Sequence, residues 1–513
     1  MSYIKNNKII MNSMITNIKR NSLLAATTML FATTFTLRGV EAQSDNFGIT
    51  IDLFKGPTYD FGATPWYTGD FTFTSPSVKP QSKRVLPFTV DTGTTMIWAT
   101  LDTCSTDACT KHTDNDSSHS GIDNMVSYLQ TGVDYDLANI SVTEQVNFGP
   151  WGTMGADIAQ SKVAIKNVNI PIDNLFGRPL QFIGANDYSE DQFRTLNWYG
   201  GIGLPSRGKY SVDYPILNKD MKGYGNDFFF GQLHQSMINI NLDFKPRFSN
   251  WYNAANKTGH FLLGADDPNQ YEDKSELLMT KNNNVIDGSK DMWATDLMGL
   301  KVGGRDIKLP PVSSFFVDSG SSRFKGDYLV VEPILTALYD PQVHEKILGT
   351  DKINEGLLIG LKYKPGKKPD PRRKNTKLWQ IYVGKCENSQ RDAYITLNEN
   401  DYSYEVKVPN TDPDSKEPEK VEYYVALHAL GAFPNALHEN EIGGLLAGTQ
   451  LMEKFYTTFV YDYDEENKQY SQNGMSFQNN KDVKFNGNSC SSSYKKPKAR
   501  MRSSVKAINL KKF

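Results

Sequence analysis

The chain is poor in cysteine and histidine, the residues on which metal sites and several hydrolase classes depend. It holds four cysteines and seven histidines in 513 residues. None of the histidines falls in a zincin motif or a Ser-His-Asp context, so the sequence offers no support for either hydrolase class. His112 and His119, in KHTDNDSSHS, are interpreted as loop residues rather than metal ligands.

A strong charge of either sign is also missing. The chain carries 56 Lys and Arg residues against 58 Asp and Glu residues, a formal net charge of −2. This balance gives no indication of a nucleic acid or an acidic partner. Apolar residues make up 39% and charged residues 22%, a profile typical of globular proteins. The length predicts two or more packed units.

Long apolar runs are absent after the N-terminal region. The basic segment NIKR, ending at Arg20, precedes NSLLAATTMLFATTFTL, and VEA at 40–42 supplies small residues for cleavage. This order predicts a signal peptide over 1–42, with a signal anchor or a transit peptide as the alternative. No later segment approaches about 20 apolar residues, so the mature chain is expected to lack a stable membrane span. Three sequons agree with a lumenal route and are candidate glycosylation sites: Asn115, Asn139 and Asn256.

Short alternating segments dominate the rest of the chain. DFTFTS, ISVTEQVNFG and FYTTFVYDY alternate in polarity, and turn residues separate such segments. Phe and Tyr, which favour strands, number 27 and 26. The pattern predicts an all-β protein with few, short helices. One helix is expected within 331–348, VEPILTALYDPQVHEKIL, ended or interrupted by its prolines.

Two stretches share one unusual pattern. FFVDSGSS at 315–322 and PFTVDTGTTMIW at 87–98 each run from an apolar strand into an aspartate, a hydroxyl residue and a glycine. Each is followed later in the chain by an apolar segment with glycine, NWYGGIGLPS at 197–206 and EIGGLLAGTQ at 441–450. This internal duplication predicts two similar lobes, each contributing one aspartate. The alternative is a pair of ordinary turns with capping aspartates.

The candidate catalytic residues are therefore Asp91 and Asp318. Glycine permits a tight turn, and hydroxyl groups can hydrogen-bond a carboxylate that has lost bulk water. If the two loops meet face to face, the like charges cannot both ionise easily, so the pair holds one proton. One aspartate then acts as a base on water while the protonated one polarises a carbonyl. The residues expected to support the pair are Thr92, Gly93, Thr94, Ser319, Gly320 and Ser321.

These motifs resemble those of the pepsin-like aspartic proteases, over roughly residues 62–485. TVDTGTT and FVDSGSS match the family's active-site pattern, and NFGPWGTMGAD at 147–157 resembles the tip of its flap hairpin. Trp98 matches the tryptophan behind the flap. The resemblance thus implies substrate contacts by Trp98, Phe148, Gly149 and Trp151, with a packing role as the alternative for Trp151. It also implies a bilobal, mostly β fold with a cleft between two related barrel-like lobes.

The cysteines follow the family in part. Cys104 and Cys109, in CSTDAC, match its small disulfide loop. A metal-binding pair is the rival interpretation, but no second cysteine pair accompanies them. The family's cysteine partner before Cys386 is absent, so Cys386 is expected either to bond Cys490 or to stay free.

Two other positions depart from the family. Phe148 stands where tyrosine is usual, so the phenolic hydroxyl that would bond towards Trp98 is missing. Thr449 stands where many relatives carry an acidic residue. These departures bear on the flap and on subsite detail, whereas both aspartates and their hydroxyl neighbours are intact.

The resemblance implies an aspartic endopeptidase that cuts extended polypeptides at acid pH, with apolar residues beside the cut and no metal or cofactor. A monomer, secreted or held in the lumen of an acidic vacuole or lysosome-like compartment, is expected. The alternative function is a non-catalytic peptide-binding protein on the same fold. The expected lobes are 43–250 and 251–490, where 43–61 forms a short prosegment or a first strand, and a basic, disordered tail covers 491–513.

Overall fold

The chain divides into Met1–Phe47 and Gly48–Phe513, and every element below lies in the second unit. The structure is a computed structural model that describes residues 47–481. Within that range it leaves out 56–65, 80–81, 83, 107–108, 110–125, 142–145, 148–152, 167, 169–178, 190–198, 210–227, 254–255, 273–275, 281–290, 351, 353–354, 387–391, 410–418 and 431–441. The predicted signal peptide and basic tail therefore lie outside the described residues.

Strands make up most of the described chain. The first fourteen are β1 Ile49–Lys55, β2 Trp66–Thr68, β3 Phe71–Thr74, β4 Phe88–Asp91, β5 Ile97–Thr100, β6 Asp136–Ser141, β7 Val146–Asn147, β8 Thr153–Ile165, β9 Leu180–Tyr188, β10 Gly200–Gly203, β11 Gly208–Lys209, β12 Arg247–Asn253, β13 Thr258–Leu263 and β14 Leu277–Thr280. The others are β15 Trp293–Asp296, β16 Gly299–Val302, β17 Arg305–Ile307, β18 Val312–Val317, β19 Phe324–Asp327, β20 His344–Leu348, β21 Leu358–Tyr363, β22 Trp379–Cys386, β23 Asp392–Leu397, β24 Ser403–Pro409, β25 Glu419–Val425, β26 Leu427–Leu430, β27 Ile442–Ala447, β28 Phe455–Asp464 and β29 Gln469–Asn479.

The helices of the described residues are few and short, so the predicted all-β class is confirmed. They are α1 Phe229–Asn239, α2 Tyr328–Leu338, α3 Thr449–Met452 and a 3₁₀ turn at Pro268–Gln270. None of these helices combines the length and the apolar character that a bilayer crossing requires. The strands form one sheet of twenty, one of five and one of four.

Alternation along the chain explains why single segments become strands. In β1, Ile49, Ile51 and Leu53 are buried and Thr50 is exposed, which is the period of two expected for a strand with one covered face. β1 pairs antiparallel with β13 over Ile49–Leu53 and with β2 at Phe54 and Lys55. The segment after the predicted signal peptide thus contributes a strand to the largest sheet.

The internal duplication has a structural counterpart in two arrangements of strands. β10 runs parallel to β4 and antiparallel to β5, while β5 runs parallel to β9. In the second half, β27 runs parallel to β18 and antiparallel to β19, while β19 runs parallel to β26. The two glycine-bearing segments that follow the aspartate motifs are therefore the strands β10 and β27, each inserted between the two strands that flank an aspartate loop.

The helix expected within 331–348 is only partly right. α2 ends at Leu338 and keeps Pro333 inside it, whereas His344–Leu348 forms strand β20, which pairs with β21. Tyr339 already has extended backbone angles, and Pro341 cannot donate a helical hydrogen bond. Tertiary pairing then determines the conformation of the segment that follows.

The lobe boundary expected between residues 250 and 251 falls inside a continuous strand. β12 has four consecutive buried residues, Phe248–Trp251, and pairs with β13 on one side and β28 on the other. A strand with neighbours on both edges and both faces covered shows no polar and apolar alternation. Burial on both faces therefore accounts for four consecutive buried residues in β12.

Candidate active site

Asp91 and Asp318 each stand where a buried strand ends. Asp91 is the last residue of β4, and Asp318 follows Val317, the last residue of β18. The glycine-bearing partner strands fix both loops: the Leu204 N–H donates to the Asp91 carbonyl at 2.8 Å, and the Asp318 N–H donates to the Ala447 carbonyl at 2.9 Å. The backbone of each aspartate is thus hydrogen-bonded to the glycine-bearing segment of its own half.

The hydroxyl residues next to the aspartates join the two loops reciprocally. Thr92 Oγ1 accepts a hydrogen bond from the Ser319 N–H at 2.9 Å, and Ser319 Oγ accepts one from the Thr92 N–H at 3.0 Å. Each hydroxyl also donates onward across the junction, Thr92 to the Val317 carbonyl at 3.0 Å and Ser319 to the Val90 carbonyl at 2.6 Å. Both residues are buried. Four hydrogen bonds shielded from water therefore fix the separation of the loops.

The glycines allow each carboxylate to lie against the opposite loop. A Cβ on Gly93 would stand 2.6 Å from Asp318 Oδ1, and a Cβ on Gly320 would stand 2.5 Å from Asp91 Oδ2. Real Cβ atoms do not come so close to a carboxylate oxygen. Because the hydroxyl bonds already fix the loops, no other residue fits at these two positions without separating them.

The two carboxyl groups are close enough to share a hydrogen bond. Burial raises the pKa of Asp91 well above its ordinary range, and the negative charge of Asp318 and the bond between the carboxyls raise it further. The Gly93 N–H, which donates to Asp91 Oδ1 at 2.7 Å, and the Lys325 ammonium act in the opposite direction. The pair therefore retains a proton at a pH at which an isolated aspartate would have lost it.

The surroundings of the two aspartates differ. Asp318 accepts hydrogen bonds from the Gly320 N–H at 2.8 Å and from Ser321 Oγ at 2.7 Å. Thr94, the counterpart of Ser321, makes no hydrogen bond to Asp91 within the described part of the chain. Asp318 thus accepts hydrogen bonds from two donors of its own loop, whereas Asp91 accepts one from its own loop.

The predicted substrate-contacting residues are only partly described. Trp98 is 3% exposed and belongs to a buried cluster with Tyr67, Met154 and Tyr188. Phe148, Gly149 and Trp151 lie outside the described residues. The strands on either side pair as a hairpin, with Asn147 opposite Thr153.

The cysteines and sequons are distributed around the second unit. Cys104 and Cys109 form a disulfide, and both contact the Trp98 cluster. Cys386 is also disulfide-bonded, whereas Cys490, its predicted partner, lies outside the described residues. Asn256 is exposed. Asn139 lies in β6, its side chain not being described, and Asn115 lies outside the described residues.

Lys325 is a residue near the site that sequence reasoning missed. Its ammonium Nζ lies 3.4 Å from Ser321 Oγ, the hydroxyl that donates to Asp318. The internal duplication could have revealed it, because Lys325 follows Asp318 by seven residues, as Trp98 follows Asp91. The two are also the second residues of β19 and β5, the matching strands of the two halves.

Comparison with known proteins identifies a family. A family model described as eukaryotic aspartyl protease matches residues 79–472, which is more than half of the chain and includes both aspartate loops. No curated protein matches the chain.

Proposed function

Because the chain belongs to the eukaryotic aspartyl protease family, we propose that it is an aspartic endopeptidase in which Asp91 and Asp318 are the catalytic residues. The observation that carries the proposal is the contact of two carboxyl groups, Asp318 buried and Asp91 partly buried, beside the Thr92–Ser319 hydrogen bonds. Structural aspartates have no need of a second carboxylate, whose charge opposes their own ionisation.

The singly protonated pair can carry out both proton transfers that peptide hydrolysis needs. Asp318, which accepts two protein hydrogen bonds, takes a proton from water as the water oxygen attacks the scissile carbonyl carbon. Asp91, which holds the proton, donates a hydrogen bond to the carbonyl oxygen and stabilises the negative charge that develops there. Asp318 then passes the proton that it took from water to the leaving nitrogen, the C–N bond breaks, and the pair returns to its singly protonated state with the proton on Asp91.

Acid conditions suit this chemistry because the pair must keep one of its two protons. The raised pKa of Asp91 supports retention of that proton. We further propose extended polypeptide substrates with apolar residues beside the cut, bound in a cleft between two lobes that each hold one aspartate. A secreted or acidic lumenal location fits the N-terminal segment and the three sequons.

The experiment that tests the function is hydrolysis of denatured globin by the purified chain across a pH series, with and without pepstatin. The proposal predicts new peptide fragments at acid pH and their loss with pepstatin. A chain that binds peptides without cleaving them at any pH would establish the alternative, a peptide-binding protein on this fold. The gain of cleavage only after a segment is removed from the N-terminus would identify a prosegment.

A further inference from the structure

Lys325 lies on a strand that is paired on both sides, and it brings a cation close to the carboxyl pair. It is the second residue of β19, where its partner on β27 is Leu446 and its partner on β26 is His428. The side chain is partly buried, and its Nζ lies 3.4 Å from Ser321 Oγ. Ser321 Oγ in turn donates to Asp318 Oδ2 at 2.7 Å. One hydroxyl therefore separates the ammonium from a proposed catalytic carboxylate.

The pKa of Lys325 lies below its ordinary value, chiefly because the side chain is buried. Burial lowers the pKa of Lys325, the carboxylates of Asp318 and Asp91 raise it, and the Arg323 guanidinium lowers it. Arg323 is directed elsewhere, because its guanidinium lies 3.4 Å from the centre of the Tyr404 ring and donates to the Tyr404 hydroxyl at 2.6 Å.

Two other titratable groups belong to the strands around Lys325. Asp327, two residues along β19, accepts the Gly444 N–H at 2.9 Å. His428 is the register partner on β26. The charged groups that shift the pKa of Lys325 include Asp318, Arg323 and Asp91.

A lysine at this position would be unfavourable if its side chain served only to fill space. Removing an ammonium group from water is unfavourable unless an anion or hydrogen-bond acceptors compensate. The matching position in the first half is Trp98, an apolar residue in a buried cluster. The singly ionised pair of Asp91 and Asp318 supplies a compensating negative charge close to Lys325.

We propose that Lys325 is a positioning residue of the carboxyl pair, whose ammonium acts through Ser321 to favour the singly ionised pair and to set the pH range of hydrolysis. The inference rests on the proposed function and deepens it. A nearby cation favours each proton loss from the pair, so it moves both limbs of the bell-shaped pH profile towards acid. The two contacts through Ser321 Oγ, of 3.4 Å and 2.7 Å, place the ammonium within about 6 Å of the carboxylate. At that range a unit charge shifts a pKa by about 0.5 to 2 units.

The test compares the pH dependence of kcat/KM for the parent chain, Lys325→Met and Lys325→Arg on one apolar peptide. Met keeps the length of the side chain and removes the charge, whereas Arg keeps the charge. We expect both limbs of Lys325→Met to move to higher pH by about 0.5 to 2 units, and those of Lys325→Arg to stay near the parent limbs. Lys325→Gln also removes the charge and serves if the Met variant does not fold, as judged by its thermal melt.

The pH profile distinguishes this role from a merely structural one. A uniform loss of activity with unmoved limbs, or an Arg variant that shifts as far as the neutral variants, would overturn the inference and leave the proposed function intact. A parent chain that cleaves no peptide at any pH would instead remove the proposed function itself.

Discussion

Replacement of Thr92 by valine should show how much the hydroxyl bonds between the two aspartate loops stabilise the protein. Thr92 is fully buried, and its Oγ1 accepts the Ser319 N–H and donates to the Val317 carbonyl. Valine has nearly the same shape but leaves both backbone groups without this partner. An unsatisfied buried group costs about 1–3 kcal/mol, so Thr92→Val should lower the free energy of unfolding by about 2–6 kcal/mol.

Thr89→Val is a matched control three residues earlier, in β4. Thr89 is 2% exposed, and its hydroxyl has no hydrogen-bond partner among the residues that the structure describes. Its replacement removes a buried polar atom without breaking a bond, so stability should be unchanged or higher. Urea unfolding of both variants provides the comparison. If Thr92→Val loses no more stability than Thr89→Val, the reciprocal bonds do not hold the loops together as described.

Two further predictions concern burial and close approach. Burial lowers the pKa of His234, whose Nδ1 lies 2.7 Å from the Tyr470 hydroxyl, to about 4. Because the pKa of His234 is lower in the folded than in the unfolded state, the neutral side chain contributes its full stability above about pH 6.5. That contribution is lost as the pH falls towards 4. Between pH 7 and pH 4 the free energy of unfolding of His234→Gln should therefore fall by about 3 kcal/mol less than that of the parent. Equal falls in urea unfolding would contradict this. Gly320→Ala should reduce kcat by at least about a hundredfold, because its Cβ would collide with the Asp91 carboxylate. The control is Gly299→Ala, whose nearest neighbour would be 3.5 Å away and whose kcat should not change; equal effects on kcat would refute the collision.

The aspartate loops could be predicted because their chemistry is local. A strand, an aspartate, a hydroxyl residue and a glycine follow one another directly, and the duplication repeats them. The all-β class could be predicted for the same reason, since strand alternation is a property of neighbouring residues.

The bonds that unite the site could not be predicted in this way. The Thr92 N–H meets Ser319 Oγ across 227 residues, and only the folded arrangement of β4 and β18 brings them together. Lys325 was missed because a lysine in a strand usually lies at the surface, and its proximity to the pair depends on strand pairing. The segment 344–348 was mistaken for helix because pairing with β21, rather than local propensity, determines its conformation.

The central claim is that Asp91 and Asp318 together activate water for peptide hydrolysis. Its most direct test is the steady-state turnover of Asp91→Asn and Asp318→Asn on a peptide that the parent chain cleaves, with thermal melts to confirm that both variants fold. Asparagine is nearly isosteric but cannot share or accept the proton, so each variant should lose kcat by about a thousandfold or more. A variant that remains folded and keeps turnover comparable to that of the parent would contradict the claim.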